Sequence, residues 1–600
     1  MSQDTMPGND TLEAVVIGSG FGGSVSFCRL SQKWGDKVLL LERGKRYPMG
    51  SFPRTPHDMA DNFWSVEGDE VQRPKHIRKK QNLRGLFDIR NFRKMDAVFS
   101  AGLGGGSLIY ANVYLEPPEQ VFEQGWPRQL TKSTLEPYYQ IARQVLGARP
   151  VPPWNQDPRR KITRTELFQK FAEQEKRTSK LADICVFFGD DYSYKGQAQP
   201  LPIGEQELNR YGARQTSCVY CGECDVGCNT HSKNTLDLNY LHVGEKSHGG
   251  KILTNCLAEK IVPLNKAGAD DPEADGSHGY KVVFKDLERN ETLEVRTHRV
   301  IVSAGTLGSN ELLLRCRDVF RTLPKLSAKL GHWFSANGDF LSFVIDGKQP
   351  ADPNYGPVIT QYTDYNLFDR FQRNQAFVLE DASYPAFAAW YLEGVFPAGW
   401  LRRAIRTLKA LWAWLKNVVR SGSWTGSVGF VFHEMLKGDL SYKTSVLLCM
   451  GLDRGDGTLS LNHQGRVDLD WPQTTSMDLY QAILATGDRF KNFVKSHWFV
   501  PLPTWGWPVF RELTSWFPAR NNVTVHPLGG CILADSPDQG VVSGSDENRG
   551  QAFGYQGLYV VDGSILPSAV GANPIATISA TAEWIAEGIT GIKPDASLGI

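Results

Sequence analysis

Four cysteines fall within an eleven-residue window, Cys218, Cys221, Cys224 and Cys228, in the run Ser-Cys-Val-Tyr-Cys-Gly-Glu-Cys-Asp-Val-Gly-Cys. The spacing is C-x2-C-x2-C-x3-C, a pattern by which thiolates wrap an iron–sulfur cluster. One departure is that Asn229, not proline, follows the fourth cysteine. Zinc is a second reading, with His231 close enough to complete a Cys3His set, although structural zinc sites usually join two separated pairs. A third is a set of reduced, metal-free thiols. The loop spans 216–230. The other six cysteines are scattered, unlike a disulfide framework, and the N-terminus shows no secretory pattern, so a reducing cytoplasm is expected.

Chemistry of this kind needs elements to hold it. Residues 13–18, Glu-Ala-Val-Val-Ile-Gly, read as a short buried strand leading into Gly18-Ser-Gly20-Phe-Gly-Gly23, then a helical stretch from Ser24, then the apolar run Val38-Leu-Leu-Leu41 ending at Glu42. Strand, G-x-G-x-x-G, helix, strand and acid about 20 residues on make the dinucleotide-binding unit. Gly18 suits the tight turn. Gly20 lets a pyrophosphate approach backbone N–H groups at the helix N-terminus. Gly23 permits close helix–strand contact, and Glu42 can accept from ribose hydroxyls. Far along the chain, Gly557-Leu-Tyr-Val-Val-Asp562 reads as another strand ending in an acid, followed by Gly571-Ala-Asn573-Pro574 and a helix from Ile575. That segment resembles the closing part of many FAD enzymes, with Asp562 near the ribityl–pyrophosphate region and Pro574 opening a helix aimed at the flavin.

With these segments in view, the chain resembles the glucose–methanol–choline (GMC) oxidoreductases, most closely their cholesterol-oxidase-like branch. The other segments carrying the likeness are residues 102–112, Gly-Leu-Gly-Gly-Gly-Ser-Leu-Ile-Tyr-Ala-Asn, the stretch 302–314, and Val525-His526-Pro-Leu-Gly529-Gly530-Cys531. The likeness implies FAD as cofactor, with Gly105, Ser107 and Asn112 along the flavin, and hydride transfer from an alcohol carbon to flavin N5. It implies His526 as acceptor of the hydroxyl proton, a task suited to an imidazole. It implies Asn573 as hydrogen-bond partner of the substrate oxygen. Asn573 is also a candidate helix N-cap before Pro574. Members that also isomerise a sterol double bond use a glutamate base, for which Glu434 is a candidate; the plainer reading of Glu434 is a solvated or paired strand residue. Some GMC sugar dehydrogenases hold a three-iron cluster on C-x5-C-x3-C, the spacing of Cys218, Cys224 and Cys228. Cys221 would be the extra thiol that completes a 4Fe-4S rather than a 3Fe-4S cluster.

The likeness implies an α/β fold with a discontinuous, Rossmann-like FAD-binding domain (10–50, 95–150, 205–335 and 520–595). A second, α+β substrate domain on an antiparallel sheet takes 51–94 and 341–519. A net charge of +1 over 600 residues gives no global pull toward nucleic acid. No apolar run is long enough to span a bilayer. Residues 401–420 read as one helix, with Leu401, Ile405, Leu408, Leu411, Trp412, Leu415 and Val419 at helical spacing and six basic residues uninterrupted by acid. Such a helix suits peripheral contact with an anionic membrane face; it equally suits a helix that covers the core and shows its charges to water. The aromatic stretch 497–517 reads as ordinary packing with Pro-rich turns or, taken with this helix, as favouring a sterol or other bulky apolar alcohol drawn from a membrane; the basic stretch 73–94 suits contact with phospholipid or a solvated loop. Electrons would pass to O2 or, through a cluster, to an external acceptor. Two rivals stand beside this reading: a steroid or lipid reductase on the same scaffold, and a membrane-associated flavin redox partner without small-molecule turnover.

Overall fold

The computed structural model describes residues 11–64, 85–155, 157–193, 199–395, 400–421, 439–501 and 522–600. Glu434, most of the aromatic stretch and most of the basic stretch 73–94 lie outside them. Two large sheets dominate. The first runs in the order Lys251–Leu253, Val38–Leu41, Leu12–Ile17, Glu291–Val302, Tyr280–Asp286, Cys256–Pro263, with Leu558–Val560 also paired to Glu291–Val302. Pairings around Leu12–Ile17 and Val38–Leu41 are parallel, as is that of Leu558–Val560. Ala14, Val15, Val16 and Leu39 are fully buried, as expected of a parallel sheet covered on both faces. The 12-residue strand Glu291–Val302 serves both halves. Its first part pairs antiparallel with Tyr280–Asp286, and its last part pairs parallel with Leu12–Ile17.

Register decides what this sheet is for. Ile17 is level with Leu41 and with Val302, and Val302 is level with Val560. The C-terminal ends of four parallel strands therefore stop in line. The segments leaving them are Gly18–Gly23, Glu42, Ser303 to Gly305, and Asp562. Ligands of open α/β sheets bind at such an edge. The helices Phe21–Trp34 and Ile575–Thr590 pack together beneath it, joined by Arg29 Nε to Glu583 Oε2 at 2.8 Å, and Tyr240 Oη of the helix Tyr240–Lys246 also donates to Glu583 Oε1 at 2.7 Å. Breaking one partner of a buried pair leaves the other charge stranded, at about 3–5 kcal/mol.

The second sheet has six antiparallel strands in the order Trp498–Pro501, Phe340–Ile345, Ser445–Gly451, Phe377–Ala382, Gln361–Tyr365, Ser179–Leu181. Helices Thr163–Gln174 and Met477–Phe493 pack against it and meet each other through Phe168, Phe171 and Phe490. Every residue of Phe377–Ala382 is buried, including Glu380 and Asp381. Asp381 is satisfied by the Thr360 and Gln361 N–H groups and the Thr360 hydroxyl, with the Arg164 guanidinium 3.6 Å away.

Candidate active site

His526 follows the short strand Asn522–Thr524, which pairs parallel with Met95–Ser100. Its Nδ1 lies 2.8 Å from Asp339 Oδ1. The other oxygen of Asp339 accepts from Thr524 Oγ1, Val525 N and His526 N at 2.8–3.1 Å. A carboxylate so occupied fixes the ring and turns Nε2 away from itself, toward whatever the site holds. Asn573 stands on a different segment, yet the same turn holds it. Two residues before Asp339, Asn337 Nδ2 donates to Ala572 O at 2.8 Å, and Asn337 Oδ1 accepts from Val570 and Gly571 N–H. The turn itself hangs on buried Asp453, which accepts from Ser335 Oγ, Ala336 N and Gly338 N. Gly338 sits at φ +61° against Gly451 O, where a Cβ would come within 2.5 Å. Residues 337–339 thus set His526 and Asn573 with respect to each other.

Asn573 does not cap its helix. Pro574 occupies the cap position with no side-chain bond, and Asn573 Oδ1 is buried without a partner. Its amide instead lies beside the Glu380 carboxyl. The two side chains are not aligned for a hydrogen bond of full geometry, so both Glu380 oxygens also lack a partner. Burial first, then the charges of Asp381 and Asp339, push the Glu380 carboxyl well above its ordinary range. It is held neutral, as an uncompensated buried acid must be. Asp339 and Glu380 are the site residues that reading the sequence missed. A glutamate inside Phe377-Val-Leu-Glu-Asp was the available signal for the second, since acids seldom enter fully buried strands.

The dinucleotide edge fits an extended cofactor. At Gly18 (φ +97°) a Cβ would strike Ser303 O at 2.2 Å, and at Gly23 it would strike Gly18 O at 2.0 Å, so both serve close backbone packing. Gly20 by contrast faces open space, as do Gly106 and Gly305. Gly105 approaches the Gly20 Cα. The Glu42 carboxylate accepts from Ser19 N, Ser19 Oγ and Gly44 N, which anchors it at the mouth of the turn. Ser107 Oγ donates to Gly104 O and accepts from Leu236 N, holding the glycine-rich loop. Asn112 sits at φ +73° with both amide atoms buried and unpartnered. Asp562 binds Ser309 and Ser564, so its carboxylate ties the last strand to the helix Gly305–Leu314. An open glycine trough flanked by an acid at the ribose end is the donor set FAD requires.

The GMC oxidoreductase family matches at residues 206–316 and again at 454–582. A cholesterol oxidase of Acinetobacter baumannii is 30% identical over 96% of this chain and 94% of its own length. The chain belongs to the GMC oxidoreductase family. It is accordingly an FAD-dependent enzyme acting on the CH–OH group of alcohols. Another GMC relative, a cholesterol oxidase of Mycobacterium tuberculosis (strain H37Rv), is 26% identical over 97% of this chain and 92% of its own. The long-chain-alcohol oxidase FAO4B of Arabidopsis thaliana is 24% identical over 96% and 67%. Among solved structures, pyridoxine 4-oxidase from Mesorbium loti superposes with a TM-score of 0.56 at 14% identity, covering 96% of this chain and 99% of that one.

In this GMC oxidoreductase the four cysteines of the loop are free, and with Gly222, Gly356 and Lys233 they line one small pocket. Among the described residues no three Cys, His, Asp or Glu side chains are gathered tightly enough to ligate a single metal ion. His231 turns away, with Nε2 3.3 Å from Tyr47 O. Cys28, Cys185, Cys256, Cys316, Cys449 and Cys531 are buried singly.

Proposed function

We propose that this enzyme oxidises a sterol or another bulky apolar alcohol, with His526 as the proton acceptor. The observation that carries the reading is the Asp339–His526 pair set against Asn573 and Glu380 by one turn. Bound FAD supplies the acceptor for the hydride, held by the Gly18–Gly23 turn, Glu42, and the trough over Gly105 and Gly106. His526 takes the hydroxyl proton at Nε2 while Asp339 holds Nδ1–H and steadies the resulting imidazolium. Asn573 hydrogen-bonds the substrate oxygen and fixes the carbon that loses hydride. Glu380 is the carboxyl beside Asn573 from which a second proton shift within a sterol ring would run. Apolarity of the substrate is supported by the relatives' names and by the helix Trp400–Ser421, on which Leu401, Ile405, Leu408, Leu411, Trp412, Leu415 and Val419 are exposed. Lys409, Lys416 and Arg420 are exposed on the same helix, which suits the surface of an anionic membrane. Electrons leave to O2 or, by way of the cysteine loop, to an external carrier.

Anaerobic mixing with a 3β-hydroxysterol, and separately with a long-chain primary alcohol, tests this. The flavin band should bleach with the better substrate. His526→Ala should slow bleaching by about 10²–10⁴-fold, and Asp339→Asn by less, with flavin content unchanged in both. No bleaching by either alcohol would sink the reading.

A further inference from the structure

We propose that Lys233 is a positioning residue for FAD: its buried ammonium holds the glycine-rich segment 102–112 in the shape that receives the flavin. Lys233 is 1% exposed and is the one buried lysine among the described residues. Its three protons serve three backbone carbonyls, Leu108 O at 2.8 Å, Tyr110 O at 3.3 Å and Cys224 O at 2.6 Å. Among the described residues no carboxylate bonds it. Asp225 and Arg54, of opposite charge, are its nearest ionic influences besides the cysteines. Burying an ammonium opposes folding, and an apolar side chain would fill the place with less penalty. What the lysine adds is direction, three fixed bonds from a single point.

The segment needs such a hold. Gly105–Leu108 is one short helical turn, and residues 110–112 belong to no helix or strand. Among the described residues no backbone N–H reaches the carbonyls of Leu108 or Tyr110, so the ammonium supplies both missing donors. The residues after Lys233 run along the same segment. Tyr110 Oη donates to Asn234 O at 3.0 Å, and Leu236 N donates to Ser107 Oγ at 3.1 Å. Lys233 is itself fixed by its neighbours, through Phe187 N to Ser232 O at 2.7 Å and Asn234 N to Cys185 O at 3.0 Å.

What is held in this way is a wall of the cofactor trough. Gly105 lies against the Gly20 Cα, and Gly106 faces open space. The Tyr110 ring, 5.0 Å from Lys233 Nζ, meets the Phe21 ring edge-on with centroids 5.6 Å apart. Phe21 directly follows Gly20, so Tyr110 carries the hold across to the nucleotide turn. Two residues beyond Tyr110, Asn112 keeps both amide atoms buried and unpartnered. Lys233 therefore fixes where Gly105, Gly106 and Asn112 stand relative to Gly20.

The proposal rests on the trough as the FAD site and not on which alcohol is oxidised, so its readout is flavin binding. Flavin-free, full-length protein is titrated with FAD while flavin fluorescence and the visible circular dichroism of the bound flavin are followed. Lys233→Met, similar in length and uncharged, should raise the FAD dissociation constant by about tenfold or more and alter the flavin dichroism. Tyr110→Phe, which deletes only the hydroxyl bonded to Asn234 O, should raise it by about threefold. Lys233→Ala should regain affinity when methylammonium is added and should not respond to the bulkier tetramethylammonium. A side chain that only filled space would show no such rescue. Unchanged affinity and dichroism in folded Lys233→Met would overturn the proposal, as would a loss in Lys233→Ala that methylammonium leaves untouched. Should Lys233→Met fail to fold, an unaltered dissociation constant in Tyr110→Phe would overturn it instead. Loss of alcohol-dependent bleaching with FAD affinity intact would count against the alcohol reading alone.

Discussion

At Glu380, burial and chemistry pull against each other. The carboxyl lies in the middle of a wholly buried strand with neither oxygen paired, so it is neutral in the native state. Its ordinary value is 4.5, to which it returns on unfolding. Between that value and the raised native one, the folded protein holds a proton the unfolded chain has lost. Stability from this residue is therefore full below about pH 4.5 and falls as pH rises toward the native value, by up to ~1.4 kcal/mol per pH unit. Glu380→Gln should remove that slope. Thermal unfolding of both proteins from pH 5 to 9 should show the variant gaining on the wild type as pH increases; parallel curves would mean that Glu380 is not held neutral. The sequence displayed His526 and Asn573 because they sit in compact local motifs. It did not display Asp339, which reaches His526 across 187 residues, nor Glu380, whose role comes from the strand that surrounds it.

Among the elements, the helix Trp400–Ser421 turns its apolar stripe outward. Leu408 is 65% exposed and Trp412 69%, whereas Ala410 is 1% exposed and Arg406 is tied inward to Asp439. The periodicity was plain in the sequence, but periodicity marks an apolar face without saying which way it looks. No helix among the described residues is long and apolar enough to cross a membrane. A stripe of this size beside Lys409, Lys416 and Arg420 predicts binding to vesicles containing anionic lipid, weakened by salt. In sedimentation with phosphatidylserine vesicles, the double variant Leu408→Glu, Trp412→Glu should lose at least tenfold in affinity. Its bleaching by a detergent-dispersed sterol should be unchanged. Equal binding by the two proteins would return the helix to a purely structural part.

For the whole molecule, the trough is assembled from strand ends that lie far apart in the chain, at Gly18, Glu42, Gly305 and Asp562. The nucleotide half of the fold was legible because each strand end carries its own glycine or acid signature. The six-stranded sheet was legible only as a class, since Ser179–Leu181 and Trp498–Pro501 at its two edges are joined by pairing and not by local sequence. A ligand that ties such distant ends should stabilise the fold as a whole, by about 4 kcal/mol at a thousandfold excess over its dissociation constant. Deflavinated protein should melt several degrees lower than the same protein reloaded with FAD, in one cooperative step; an unchanged melting temperature would place the cofactor elsewhere. The buried pairing of Arg29 with Glu583 spans 554 residues. On the ribosome, the helix Phe21–Trp34 is made long before its ionic partner. Until then Arg29 has no counter-charge and the parallel sheet lacks the strand Leu558–Val560. Flavin loading therefore waits for residues 558–583, and the nascent chain must keep an unfinished sheet edge from pairing with its neighbours until they are made.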